Sequence, residues 1–230
     1  MKIGVIFFLL FLSPPLVYSQ LPVKNGQEHA VFNSFHGALG ELTSRFGNKT
    51  DSGGYQPDIA ELLDKITEHV KFLESVITSG KPIPKEYLES VSLDGELLKR
   101  LARKESKSEP ERKRLYEGLK EVESDLALKI TGKRGSSEVA RVVQLLVHAK
   151  RGDQDVGAYE VWYVPRGWAS DSSAFKRFDG LTNPSNPPSM NLAPGNYFVW
   201  LSKGQPVTER QPVSIGVNGE AKREIDVVVP

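Results

Sequence analysis

Between residues 24 and 131 the apolar positions recur at intervals of three and four, the spacing that gathers side chains on one face of an α-helix. Phe32, Phe35, Leu39, Leu42 and Phe46 draw one such seam, ended by Gly47-Asn48. Leu63, Ile66, Val70, Leu73 and Ile77 draw a second, after Pro57-Asp58 and before Gly80. Leu115, Leu119, Val122, Leu126 and Ile130 draw a third, between Ser108-Glu109-Pro110 and Gly132. Pro84 to Val91 and Asp94 to Lys104 lie between them, with Leu97, Leu98 and Leu101 in the second stretch and Asp94 placed as its cap. Seams facing inward predict an up-down antiparallel bundle of four helices. An extended antiparallel coiled coil is the alternative, but each seam lasts only about two to three heptads. Gly37, Gly40 and Gly118 interrupt the helical patterns and blur their boundaries.

From about Ser136 the rhythm shortens to two. All three tryptophans, Trp162, Trp168 and Trp200, and eight of the thirteen prolines after residue 19 fall in this last stretch. Val143, Leu145 and Val147 alternate with Gln144, Leu146 and His148; Val161 and Tyr163 follow Tyr159; Tyr197 to Leu201 is a short apolar run; Val213, Ile215 and Val217 precede Ile225, Val227 and Val229. Short alternating runs between turn residues predict an all-β domain. Val139 to Ala149 also fits a helical period, and its β-branched content decides for strand. Around Asn218-Gly219 a two-residue hairpin wastes the alternation. A three-residue loop over 217–219 aligns Ile215 with Ala221 and improves the register without making it clean, so the two strands are also read as members of different sheets. The expected class is α+β: an N-terminal antiparallel helical bundle (24–131), a hinge over Gly132 to Ser137, and a C-terminal all-β sandwich (137–230) with its own core.

The first 19 residues read as a secretory signal. Lys2 precedes the apolar run Ile3 to Leu12, then Ser13-Pro14-Pro15 and the small or β-branched positions of Val17-Tyr18-Ser19, with maturation before Gln20. The run is about half the length that crosses a bilayer, so no membrane span is expected after cleavage, and the localisation is read as secreted or periplasmic. An exported chain without cysteine takes its stability from packing rather than disulfides. Its 30 Lys plus Arg balance 29 Asp plus Glu, which leaves no overall charge for attraction to nucleic acid.

One segment reads Leu192-Ala193-Pro194-Gly195-Asn196-Tyr197-Phe198-Val199-Trp200-Leu201, followed by Lys203-Gly204. It resembles the Leu-x-Pro-Gly-x-Tyr-x-Val signature of carboxypeptidase regulatory-like and PEGA-type domains. In these, Pro fixes φ at the first turn position, Gly accepts positive φ at the next, and the aromatic enters the core. Gly157-Ala158-Tyr159-Glu160-Val161 is similar to the same families' Gly-Ala-x-Val strand, with one extra residue. The resemblance covers about residues 140 to 230 and implies a prealbumin-like sandwich used as an appended module, with no catalytic residue to carry over. Its departure is the long loop Arg166 to Pro188.

Four groups of side chains have chemistry to weigh. Aromatics exposed on a sandwich stack on sugar rings, which makes Trp162, Trp168, Trp200 and Tyr163 candidate glycan-binding residues; the plainer alternative turns Trp162 or Trp200 toward the opposite sheet. Lys99, Arg100, Arg103, Lys104, Lys107, Arg112, Lys113 and Arg114 outnumber Glu105, Glu109 and Glu111 by five charges, a basic strip suited to an anionic envelope polymer, lipid or protein partner, or else a solvated helix end. His29, His36 and His69 lack metal-ligand spacing, so no metal or cofactor is expected. Glu121 and Asp125, near Lys120 and Lys129, read as surface ion pairs. No Cys nucleophile, Gly-x-Ser-x-Gly elbow, phosphate loop or dinucleotide fingerprint occurs. The sequence therefore favours an exported, non-catalytic interaction or structural protein of the cell envelope, its helical part for partner contact or oligomerisation and its sandwich as adaptor module, with another envelope or secreted protein, or a glycan, as partner. A carbohydrate-binding module and an unrecognised hydrolase are the alternatives. An open platform at Trp168 would favour the first alternative, and a pocket collecting Asp171, Arg177 and Asp179 the second.

Overall fold

The structure, a computed structural model, describes residues 25–47, 54–131, 141–217 and 219–230. The signal and its cleavage site, the hinge at 132–137 and Asn218 lie outside the described residues. Four helices come first: α1 (Asn25–Phe46), α2 (Gln56–Ile77), α3 (Lys85–Ala102) and α4 (Glu109–Thr131). Their seams form one apolar core, with Phe32, Phe35, Leu42, Ile59, Ile66, Leu73, Tyr87, Leu98, Leu119 and Leu126 buried in it. Contacts set the directions. Arg45 near the end of α1 bonds the carbonyl of Ala102 at the end of α3. Tyr87 at the start of α3 bonds the carbonyl of Lys129 at the end of α4. The helices thus run up and down, as the three-four seams predict.

One boundary differs from the expectation. The two stretches 84–91 and 94–104 are a single helix, so Asp94 is no cap; it lies in mid-helix and is buried. Gly95 lies within this helix, and the Phe35 ring of α1 packs where a side chain would stand, 2.9 Å from an ideal Cβ. Gly95→Ala should therefore lower stability by about 1–3 kcal/mol through overpacking, measured by urea denaturation.

Eight strands follow: β1 (Val143–Arg151), β2 (Gln154–Val156), β3 (Glu160–Pro165), β4 (Lys176–Leu181), β5 (Ser189–Leu192), β6 (Gly195–Ser202), β7 (Gln211–Ile215) and β8 (Lys222–Val228). They make two four-stranded sheets. In the first, β1 pairs in parallel with β8 along one edge and antiparallel with β5 and β2 along the other. The second has the antiparallel order β4-β3-β6-β7. Val143, Leu145, Val147, Tyr163, Phe178, Tyr197, Val199, Leu201, Ile225 and Val227 fill the space between them. The α+β class holds, with helices followed by mainly antiparallel sheets. β7 and β8 belong to different sheets, so the chain around Gly219 is a crossing and not the hairpin that the three-residue loop would make.

The Pro194-Gly195 turn launches β6, and Tyr197 enters the core, as the pattern suggests. Gly195 itself does not take a positive φ; Gly216, packed on the Pro194 ring, does, at +85°. A Cβ added at Gly195 would stand in ordinary contact with the Tyr197 ring, at 3.4 Å, and with Lys129 Nζ, at 3.7 Å.

The other face of the second sheet is covered too. Asn196, Phe198 and Trp200 alternate with the core residues of β6 and point away from the first sheet, so α3, α4 and the loop after β3 lie over them. The molecule has three layers in sequence: helices, second sheet, first sheet.

Candidate functional site at the helix–sheet junction

The buried polar residues concentrate where the helices meet the second sheet. Asp94 of α3 and Lys129 of α4 form an ion pair of 2.8 Å, with side chains 6% and 1% exposed. Asp125, one turn before Lys129, is also buried and accepts from the Asn196 backbone N–H at 2.8 Å and from Asn196 Nδ2 at 2.7 Å. Asn196 Nδ2 also reaches Ser124 Oγ, and its Oδ1 accepts from Ser214 on β7. Asn196 thus joins α4 to two strands. Tyr197, from the other face of the same strand, donates to the Ala193 carbonyl.

Two carboxylates and one ammonium in a dry space cannot all be charged cheaply. Burial, and then the neighbouring Asp94, push the Asp125 carboxyl up to about 7, although Lys129 and the Asn196 N–H pull it down. Burial raises Asp94 as well, against the opposing pull of Lys129. Burial also raises the phenols of Tyr87 and Tyr197. Both carboxyls therefore hold a proton more readily than isolated aspartates do.

Around it lies a second set of contacts. Arg166, just after β3, makes a two-pronged pair with Glu121 of α4 at 2.8 and 2.7 Å. Arg100 of α3 donates to Asp171 Oδ2 at 2.9 Å and lies 4.0 Å above the Trp168 ring. Lys176 approaches Glu89 at 3.6 Å. Val164, Trp168 and Trp200 form an apolar cluster with Leu93 and Leu97 of α3. Because the Arg166 pair is partly solvated, Arg166→Ala should cost only about 1 kcal/mol; a double-mutant cycle with Glu121→Ala measures it.

The candidate residues now have places. Trp168 is buried under Arg100, so it forms no platform; the loop that carries it is held down by α3 rather than open to solvent. Trp162 and Trp200 are cross-strand partners stacked 6.4 Å apart on the outer face, not toward the opposite sheet, because they alternate with the core residues Val161, Tyr163, Val199 and Leu201. Phe175 and Arg210 cover Trp200, and the Trp162 indole N–H donates to Glu160. Tyr163 lies in the sandwich core, where burial lifts its phenol to about 12. The basic strip is divided. Arg100 is held at the junction and Lys99 pairs with Glu96, whereas Arg103, Lys104, Lys113 and Arg114 are exposed at the α3–α4 end with Arg112 half-buried beside them.

No pocket gathers Asp171, Arg177 and Asp179: Asp171 pairs with Arg100 and caps a short 3-10 turn, and Arg177 pairs with Glu160. His36 and His69 contact Glu74 and Glu123 separately, and among the described residues no group of three or more His, Cys, Asp or Glu is arranged to hold a metal. Asp125 and Lys129 are not the surface ion pairs the spacing suggested, because the second sheet lies over them; of that group Lys120 is exposed and Glu121 partly solvated.

Fold and junction define an α+β protein with a helical layer fastened to a β-sandwich through buried charge. No family model and no curated protein matches the chain. Among solved structures, a crystal structure of (S)-allantoin synthase is similar at a TM-score of 0.28 and 12% identity, over 90% of this chain and 81% of that one. A likeness at that score carries no argument about fold or activity. Among the described residues no helix is long and apolar enough to cross a membrane.

Proposed function

We propose that the protein is an exported, non-catalytic interaction or structural protein of the cell envelope, with the helices making partner contact and the carboxypeptidase regulatory-like sandwich serving as adaptor. The observation that supports this reading most is the junction: Asp125–Asn196, Glu121–Arg166 and Arg100–Trp168 fasten the two halves together. An adaptor has to hold its partner in a fixed position, which fastened layers do and a loose linker does not. The exposed cations Arg103, Lys104, Lys113 and Arg114 give the helical end a local charge suited to an acidic partner surface.

The test produces the full 230-residue chain in a bacterial host, fractionates the cells and determines the N-terminus. Purified mature protein is then cross-linked in envelope extract and screened against a glycan panel. The reading expects export, an N-terminus at Gln20, and a saturable protein partner whose capture weakens with salt and on charge reversal of Lys104 and Lys113. Retention in the cytoplasm, or saturable glycan binding without a protein partner, would overturn it.

A further inference from the structure

The buried Lys129–Asp94 contact has the parts of a bond-forming site. An amine and a carboxyl stand 2.8 Å apart with almost no exposure, held by two packed helices. Such placement converts a bimolecular condensation into a step within one molecule, worth many orders of magnitude in effective concentration. Tyr87, Leu98 and Leu126 line the same core, so bulk water does not reverse the step. A second buried carboxyl, Asp125, sits one helical turn before Lys129 and is held by Asn196. A cavity of about 20 Å³, room for a water molecule, is lined by Lys129 with Leu128, Pro194 and Gly216 among others.

We infer that Lys129 Nζ and Asp94 Cγ join in an intramolecular amide that covalently ties α3 to α4. The proton of the ammonium moves within the pair, giving a neutral amine and a carboxylic acid. The amine lone pair attacks Asp94 Cγ, Asp125 accepts the proton that nitrogen sheds and returns it to the departing hydroxyl, and one water leaves. The C–N bond replaces a C–O bond, no oxidant or reductant is consumed, and two charges in the dry core become one neutral amide. Relief from burying that charge favours the product. In a chain without cysteine, this gives a covalent staple by other means. The inference stands independently of export and of any partner.

The test is the intact mass of the purified full chain, followed by tryptic peptide mapping. The account expects a mass about 18 Da below that of the sequence, one water, located in a branched species joining residues 86–99 to residues 121–133 with cleavage lost at Lys129. Lys129→Met and Asp94→Ala should each restore the full mass. Asp125→Asn should fold yet retain the water at least tenfold longer after synthesis, a readout that packing alone does not move. A full-mass wild-type chain would overturn the inference. So would a water loss mapped to a succinimide at Asp94-Gly95, which leaves Lys129 cleavable, and so would an Asp125→Asn chain that loses water at the wild-type rate.

Discussion

Replacing Lys129 by alanine is expected to lower the stability of the chain by about 3–5 kcal/mol, because Asp94 is then left as a buried carboxylate with neither a cation nor an amide partner. Urea denaturation followed by circular dichroism at neutral pH measures the loss. Converting both partners, Asp94→Leu with Lys129→Met, should recover part of what the single variant loses: the stranded charge is gone, while the tie between α3 and α4 is not restored. Removing a buried pair is tolerated far better than halving it. A Lys129→Ala chain within 1 kcal/mol of wild type would mean that water reaches Asp94 and that the site is not dry.

The second large effect is on pH. An aspartate in an unfolded chain titrates near 4, whereas burial above all lifts Asp125 to about 7. Between those values the folded protein binds the proton more strongly than the unfolded chain, so the contribution is complete below about pH 4 and is lost as pH rises through 7. Stability should fall by about 3 kcal/mol from pH 5 to pH 8, and Asp125→Asn should flatten most of that slope. On the acid side, Glu96, Glu160 and Asp171 are held below their ordinary range by hydrogen bonds to Ser34, Trp162 and Ser173 and by their cationic partners, so stability also declines as they protonate. The maximum is expected in mild acid, and denaturation curves across pH 4 to 9 locate it.

The helices were legible because their seams are strict, and the sandwich because its strands alternate. The junction is less legible, because charged residues at helical spacing ordinarily face solvent. Yet Asp94 continues the buried series Tyr87, Val91, Asp94, Leu98, Leu101, and Lys129 continues Leu115, Leu119, Val122, Leu126. A charge standing at an apolar position of a seam is a signal for a buried pair, and two such charges of opposite sign on neighbouring helices are a signal for each other. Trp168 offered no comparable sign, because its cover comes from Arg100 on a helix 68 positions earlier in the sequence. Trp162 and Trp200 were legible as strand residues, but the choice between inner and outer face depended on which alternating set met the other sheet.

The junction also changes the idea of two separate cores. The helical and sandwich cores are distinct clusters, but Ala193 enters the former, and Val164, Trp168 and Trp200 join Leu93 and Leu97 in a third cluster between them. Fastening of the two halves is therefore the claim on which adaptor function and pH dependence both rest.

Urea unfolding of the full chain tests that claim most directly, with helix content followed at 222 nm and the tryptophans, all on the β side, followed by fluorescence. Coincident transitions that Asp125→Ala shifts together to lower urea are the predicted result. Helices and tryptophans unfolding at separate midpoints, with Asp125→Ala moving only one of them, would contradict it.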